Sequence, residues 1–273
     1  MSPDNLPVSF SGAPGAYSEA AARRFFGAGA TTLTTADLTE ALDAVKNGRA
    51  RAAIVAVENS VTGPFGGLPD ALAGRDLVIG GEVVMPLRHC LMAVPGATLE
   101  GISTVVSHPS ALGQCRDWVA RGGLATLSAR DTAAAAQELV AIGEEGTAVL
   151  GSRTLAELYG LEILAEGISD AIDNVTRFLV LQPSANPVPA AEAERSAVLI
   201  GPVEEPRALR TLRISLESLS AKRVRAPFLG ARDGRTFLIE FDHPTAQGED
   251  IARRACGNLP FRMIGSWGTR RVG

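Results

Sequence analysis

Histidine and cysteine are both scarce in this chain, with three of each. Cys90, Cys115 and Cys256 have neither the spacing of a zinc site nor that of a redox pair. An odd, low count fits a reducing compartment. His89, His108 and His243 lie far apart, with no HExxH or facial-triad spacing, so no metal site is expected. No run of Lys and Arg stands out and the formal net charge is −4, which argues against nucleic acid or an acidic membrane as partner. No apolar run reaches membrane-spanning length. Met1 to Pro7 contains Asp4 and no apolar h-region, so no signal peptide is read and the expected location is the cytoplasm. The GxSxG nucleophile elbow is missing. Gly12-Ala-Pro-Gly15 lacks the Lys-Ser/Thr of a P-loop and fails the dinucleotide pattern, so no cofactor is expected.

What is present is core material. Hydrophobic residues make up 46% of 273 residues and charged ones 21%, enough for one large domain or two ordinary ones. Val8 to Phe10 reads as a strand, Gly12 to Gly15 as a turn and Ser18 to Phe26 as a helix. Asp37 can cap a helix running to about Asn47, with Gly48 closing it. Ala52 to Val57 is the apolar run of a strand buried on both faces. The pattern recurs at Thr104 to Ser107 with a helix after Pro109, and at Leu124 to Leu127 with a helix from Thr132. It returns at Thr147 to Leu150 with a helix from Arg153 to Tyr159. Alternation of this kind implies an open α/β sheet with helices on both faces.

After Leu181 the composition breaks. Pro183, Pro187 and Pro189 crowd a stretch rich in Ala and Glu, read as a linker over 182–195 between a first domain at 1–181 and a second at 196–273. The second reads as strand (Ser196 to Ile200), helix (Pro206 to Ser220), strands Val224 to Ala231 and Thr236 to Asp242 joined at Asp233-Gly234, helix (Gly248 to Cys256) and strand (Phe261 to Trp267). That order, βαββαβ, is the ferredoxin-like plan.

Polar clusters sit at the strand ends, where open α/β sheets bind ligands. They read Gly12-Ala-Pro-Gly-Ala-Tyr-Ser18, Val57-Glu-Asn-Ser60 with Gly63, Ser107-His-Pro-Ser-Ala-Leu-Gly-Gln-Cys115, Asp131-Thr-Ala133 and Asn174-Val-Thr-Arg-Phe178, with Glu157-Leu-Tyr-Gly-Leu161 before the last. In this order and spacing the first 181 residues resemble the prephenate dehydratase family. The resemblance implies a two-lobed, periplasmic-binding-protein-like catalytic domain with its site between the lobes. The implied reaction removes a carboxylate and a hydroxyl from a cyclohexadiene, and aromatisation drives it without a cofactor. Such a step needs a proton donor for the hydroxyl and fixed dipoles for two carboxylates.

On that resemblance Thr176 is the essential threonine, giving or relaying a proton, with an unnamed neighbour polarising it. Arg177 pairs a substrate carboxylate, Phe178 walls the ring, and Asn59 and Ser60 donate hydrogen bonds. Ser18, His108, Gln114 and Thr132 line the site. Read without it, Thr176 is an ordinary β-former, Arg177 a strand-end charge, Asn59 and Ser60 turn residues, Ser18 and Ser110 caps and His108 structural. Glu58 could orient the site or pair with a base. Met85 and Trp118 read as core. Two departures stand out: Ser110 where the family commonly has Gln, and Asp131-Thr132 where it often has Ser-Thr, although Asp131 can still cap.

Residues 196–273 resemble an ACT domain, the phenylalanine-sensing module usually fused to this catalytic domain. Its relatives pair through their sheets, which implies a homodimer or homotetramer. Arg207-Ala-Leu-Arg210 and Val224-Arg-Ala-Pro227 stand where the ligand motifs have Gly-Ala-Leu-Val and Glu-Ser-Arg-Pro, which speaks against phenylalanine as effector. Arogenate as substrate, a prephenate decarboxylase and a non-catalytic small-molecule sensor remain open readings at this stage.

Overall fold

The chain begins β1 (Val8–Ser11), α1 (Tyr17–Phe26), β2 (Thr32–Thr35), α2 (Leu38–Lys46), β3 (Ala52–Asn59), β4 (Gly63–Pro64), α3 (Leu68–Leu72) and β5 (Leu77–Pro86). It continues through β6 (Cys90–Ala93), β7 (Thr104–Ser107), α4 (Pro109–Gln114), α5 (Arg116–Arg121), β8 (Ala125–Ser128), α6 (Thr132–Ile142), β9 (Thr147–Gly151), α7 (Arg153–Tyr159) and β10 (Glu162–Glu166). It ends with β11 (Val175–Pro183), β12 (Arg195–Ile200), α8 (Pro206–Ser218), β13 (Lys222–Phe228), β14 (Phe237–Asp242), α9 (Gly248–Cys256), β15 (Phe261–Trp267) and β16 (Thr269–Arg271). The computed structural model describes residues 5–185, 193–203, 206–228, 236–244 and 247–271.

These elements assemble into three sheets. The first runs β16-β5-β11-β3-β1-β2, with β4 on β3. The second runs β10-β6-β9-β7-β8 and forms the other lobe. The chain crosses between lobes twice, after β5 and after β10, and the crossings are tied where Leu87 N–H donates to Asn174 O at 2.8 Å. The third sheet, β13-β14-β12-β15, is antiparallel and carries α8 and α9 on one face. That is the ferredoxin-like order.

Local chemistry sets the helix limits, at Asp37 and Asp131 as the sequence predicts and at Ser152, Gly143 and Gly160 in addition. Asp37, Asp131 and Ser152 accept from the backbone N–H of Glu40, Ala134 and Leu155 and cap α2, α6 and α7. Gly143 and Gly160 close α6 and α7 in the left-handed conformation.

The structure adds strands that the apolar pattern hides: β2, β4, β5, β6, β10, β11 and β16. In β5 the reason is Gly80-Gly81, which reads as a breaker. A Cβ on Gly81 would meet the Phe25 ring at 2.5 Å, so the glycine admits close packing of α1 on the strand. The proposed linker is shorter than its proline content suggests, since β11 runs to Pro183 and β12 starts at Arg195. The Asp233-Gly234 turn lies outside the described residues, as do the side chains of Arg207, Ala226 and Pro227.

The C-terminal domain is fused to the first lobe by a shared core. Leu77, Ile79, Leu179 and Leu181 of the lobe pack with Leu199, Leu238, Ile264 and Trp267 of the domain. Arg262 donates to the carbonyls of Leu77 and Leu72. β16 then returns to the lobe and pairs in parallel with β5.

Candidate active site

Between the lobes lies a cavity of about 390 Å³. Ser11, His108 and Arg130 line it from the carboxyl ends of β1, β7 and β8, the usual ligand position in α/β sheets. Ile54, Leu87 and Phe178 give it an apolar wall.

Thr176, the second residue of β11, also lines it and is itself buried. Asn59 Nδ2 donates to Thr176 Oγ1 at 2.9 Å. The Asn59 amide cannot be reversed, because its Oδ1 accepts two backbone N–H groups, from Val61 at 2.9 Å and Thr62 at 3.0 Å. With an oxygen lone pair so engaged, the Thr176 hydroxyl is a better proton donor than a free one, and its hydrogen remains available to the cavity.

The same amide begins a ring of hydrogen bonds that spans both lobes. Asn59 Nδ2 donates to Asn174 Oδ1 at 2.7 Å, and Asn174 Nδ2 to Gln114 Oε1 at 2.8 Å. Gln114 Nε2 donates to Ser110 Oγ at 2.9 Å, and Ser110 Oγ meets Thr62 Oγ1 at 3.1 Å. Thr62 Oγ1 returns to Asn59 Oδ1 at 3.4 Å. Ser110, short where the family carries Gln, is thus a bridge between the lobes.

Burial disfavours the charged form of His89 and His108. Burial pulls His89 below the usual histidine range, against the opposing effect of its bond to Gln114. Its Nε2 meets Gln114 Oε1 at 2.7 Å, which places the proton on Nε2. Burial likewise lowers His108, with Asp131 opposing. His108 Nδ1 accepts from Ser110 N–H at 3.1 Å and caps α4, so the ring's proton sits on Nε2. Burial, then Cys90 and Cys115, keeps the Tyr17 phenol un-ionised well past the usual tyrosine range. Burial, then Asp170, pushes the Cys115 thiol up to about 12, which rules it out as a nucleophile near neutral pH.

Two helix ends and one arginine offer positive potential, offset in part by Asp131, which also lines the cavity, caps α6 and pairs with Arg130. Ala16, the N-cap of α1, offers no side-chain cap, and with Tyr17 and Ser18 it lines the cavity, so the positive end of the helix borders it. α6 starts there too, at Thr132. Arg130 lines the cavity and lies 3.3 Å from Asp131. Among the described residues no group of three or more His, Cys, Asp and Glu is placed to hold a metal ion.

Thr176, Phe178, Ser18, His108, Gln114 and Thr132 therefore share one cavity wall. Three expected contacts need correction. Asn59 stands behind Thr176 and its amide is engaged within the protein. Ser60 clamps the backbone instead: its Oγ donates to Asp173 O at 2.9 Å and accepts from Val175 N–H at 3.0 Å. Arg177 does not face the cavity at all. Strand alternation sends it to the opposite side of the sheet from Thr176 and Phe178, where its guanidinium meets Glu82 at 3.0 Å and Glu240 at 2.9 Å. Glu58 is its third partner at 3.4 Å, so that carboxylate pairs with a base. Sequence reasoning missed Tyr17, His89 and Arg130. For Arg130 the signal was present, a cation at a strand end directly before the helix cap Asp131.

Comparison with known proteins identifies the family. The family model described as prephenate dehydratase matches residues 8–186. A relative named arogenate dehydratase/prephenate dehydratase 1, chloroplastic, from Arabidopsis thaliana is 42% identical over 174 residues, 64% of this chain and 44% of that protein. That match thus spans less than half of the relative's own length. A solved prephenate dehydratase from Arthrobacter aurescens, in complex with L-Phe, has a TM-score of 0.81 at 28% identity and covers 97% of this chain and 90% of its own. A solved chain described as a novel type of quorum-quenching acylase has a TM-score of 0.82 at 28% identity and covers 96% and 98%. By the family match over residues 8–186 and the relatives it shares, this chain belongs to the prephenate dehydratase family.

Proposed function

We propose that this chain converts prephenate to phenylpyruvate, releasing carbon dioxide and water. The observation that carries the reading is the Asn59 amide donating to Thr176 Oγ1 at the cavity wall. Thr176 hands its hydrogen to the ring hydroxyl as that C–O bond breaks, and takes one back from solvent. The bond to the ring carboxylate breaks in the same event, and its electron pair enters the ring. One proton is consumed per turnover, and aromatisation supplies the driving force. Phe178, Ile54 and Leu87 hold the ring. Arg130 and the N-termini of α1 and α6 take the carboxylate charges in place of Arg177. His108 Nε2–H adds a neutral donor.

An acyl-transfer reading fits less well. A nucleophile needs a base to take its proton, whereas Thr176 receives a hydrogen bond from an amide. The Ser196–His243 pair, 2.8 Å apart, is buried in the C-terminal domain away from the cavity.

The proposal includes the domain plan read from the sequence (1–181, 182–195 and 196–273) with its linker trimmed to 184–194 by the ends of β11 and β12, a cytoplasmic location and a homodimer or homotetramer assembled through the C-terminal domain. Arg207 stands where close backbone approach to an effector is used in the family, so phenylalanine is expected to have little effect on the rate.

The test incubates purified protein with prephenate near neutral pH, beside a no-enzyme blank, and follows phenylpyruvate by its absorbance in alkali. Turnover by the parent and a loss of about 10²-fold or more in Thr176→Ala are expected. Consumption of prephenate without phenylpyruvate would mean decarboxylation alone, and binding without turnover would mean a sensor. A parallel run with arogenate reads which of the two acids is preferred.

A further inference from the structure

One buried cluster of charge takes no direct part in that chemistry. Arg177 and Glu82 of the first lobe meet Arg195 and Glu240 of the C-terminal domain, with side chains 7%, 1%, 11% and 1% exposed. Glu240 grips the Arg177 guanidinium with both oxygens, at 2.9 Å on Nη1 and 3.1 Å on Nη2. Glu82 bridges the two arginines, at 3.0 Å from Arg177 Nη1 and 2.8 Å from Arg195 Nη1. Arg195 is fixed in turn by Asp242 at 2.7 Å.

Apolar residues of the same size would dock two domains at lower cost in desolvation. What the charges add is direction, because a guanidinium fork fits a carboxylate in only a few orientations. That direction is applied at a telling place. Arg177 lies between Thr176 and Phe178, which both line the cavity. The β3–β11 ladder slips between Arg177 and Phe178 while β5 on the other edge stays in register through both, so β11 is held less firmly on the side that carries Asn59.

We propose that Glu240 is a positioning residue for the reacting hydroxyl. From the C-terminal domain it holds Arg177, and through Arg177 it keeps Thr176 within reach of both Asn59 and the substrate. This rests on the reading of Thr176 as proton donor. It makes the site incomplete without the C-terminal domain, because any movement of β14 against β11 is felt at the hydroxyl.

The test compares full-length Glu240→Gln with Phe241→Leu. Phe241 is the next residue on β14, and its ring lies in the domain's own core on the other face. In Glu240→Gln, kcat for prephenate falls about ten- to a hundredfold while KM stays within about twofold. Phe241→Leu keeps the parent's kcat at a similar loss of Tm. A methyl NMR spectrum of threonine-labelled protein adds a readout without substrate: the Thr176 methyl moves in Glu240→Gln and stays put in Phe241→Leu. If Glu240→Gln does not fold, Glu240→Asp replaces it, keeping the charge but shortening the grip, and must show the same split. A soluble Glu240 variant with parental kcat and an unmoved Thr176 methyl overturns the proposal, as does an equal loss of kcat in Phe241→Leu. A parent that leaves prephenate intact overturns the reaction assignment instead, and the methyl shift then decides the positioning role alone.

Discussion

At the scale of single residues, the acidity of a threonine hydroxyl is the central difficulty, and Asn59 is the structure's answer to it. Asn59→Asp keeps the shape but replaces the donor with an acceptor, so the Thr176 hydrogen turns inward. Its kcat is expected to fall about 10²-fold, read by steady-state kinetics beside a thermal melt that confirms folding. His89 and His108 make a second prediction, on stability. Both have folded pKa values below the ordinary one, so the unfolded chain binds more protons near pH 6. Their contribution is complete above about pH 6.5 and is lost as pH falls through about 6.5 toward the lowered folded values. Glu19, Glu82 and Asp43 are also held below their ordinary values, but they act only in the carboxylate range. Tm should therefore drop between about pH 6.5 and 5, and the slope should shrink in His89→Gln. An unchanged slope in that variant would assign the drop elsewhere.

At the scale of elements, β5 is the strand on which the two domains meet. It pairs with β11 on one edge and β16 on the other, and its surface carries β15. The close approach depends on Gly265, which has φ of 136° and whose added Cβ would meet Ile79 O at 2.3 Å. A backbone atom cannot swing aside as a side chain does. Gly265→Ala is expected to cost about 2–4 kcal/mol of stability, measured by urea unfolding. A loss below about 0.5 kcal/mol would mean that β15 sits less tightly on β5 than described. β3 shows how far local signals reach. Its apolar run is visible in the sequence, and so are the helix caps at Asp37 and Asp131. β11 is not, because the eye is drawn to its polar start at Asn174 to Arg177 rather than to the apolar Leu179 to Leu181 that follow.

At the scale of the whole molecule, the first lobe and the C-terminal domain share one core and one buried ion cluster. Cutting the chain after Ala185 would expose Leu77, Ile79, Leu179 and Leu181 and leave Arg177 with Glu82 but without Glu240. The truncated protein should bind ANS and lose its near-ultraviolet dichroism while retaining helix and strand. A sharp melting transition at the parent's temperature would show the lobes to be self-sufficient. No described helix is long and apolar enough to cross a membrane.

By itself the sequence determined the α/β character of the first domain, the βαββαβ order of the second, the helix caps and the residues gathered at strand ends. These are local matters of period, cap and turn, legible along the chain, and a resemblance carried by strand-end motifs extended them to a reaction class. Only the tertiary structure decided which way those residues face. Thr176 and Arg177 are adjacent in sequence and share one motif, yet a strand sends neighbours to opposite faces. One reaches the cavity and the other a carboxylate 63 residues away on another domain. Asn59 as the polarising group and Arg130 as the cation at the cleft were decided in the same way, because partners 117 residues apart meet only when the sheet closes.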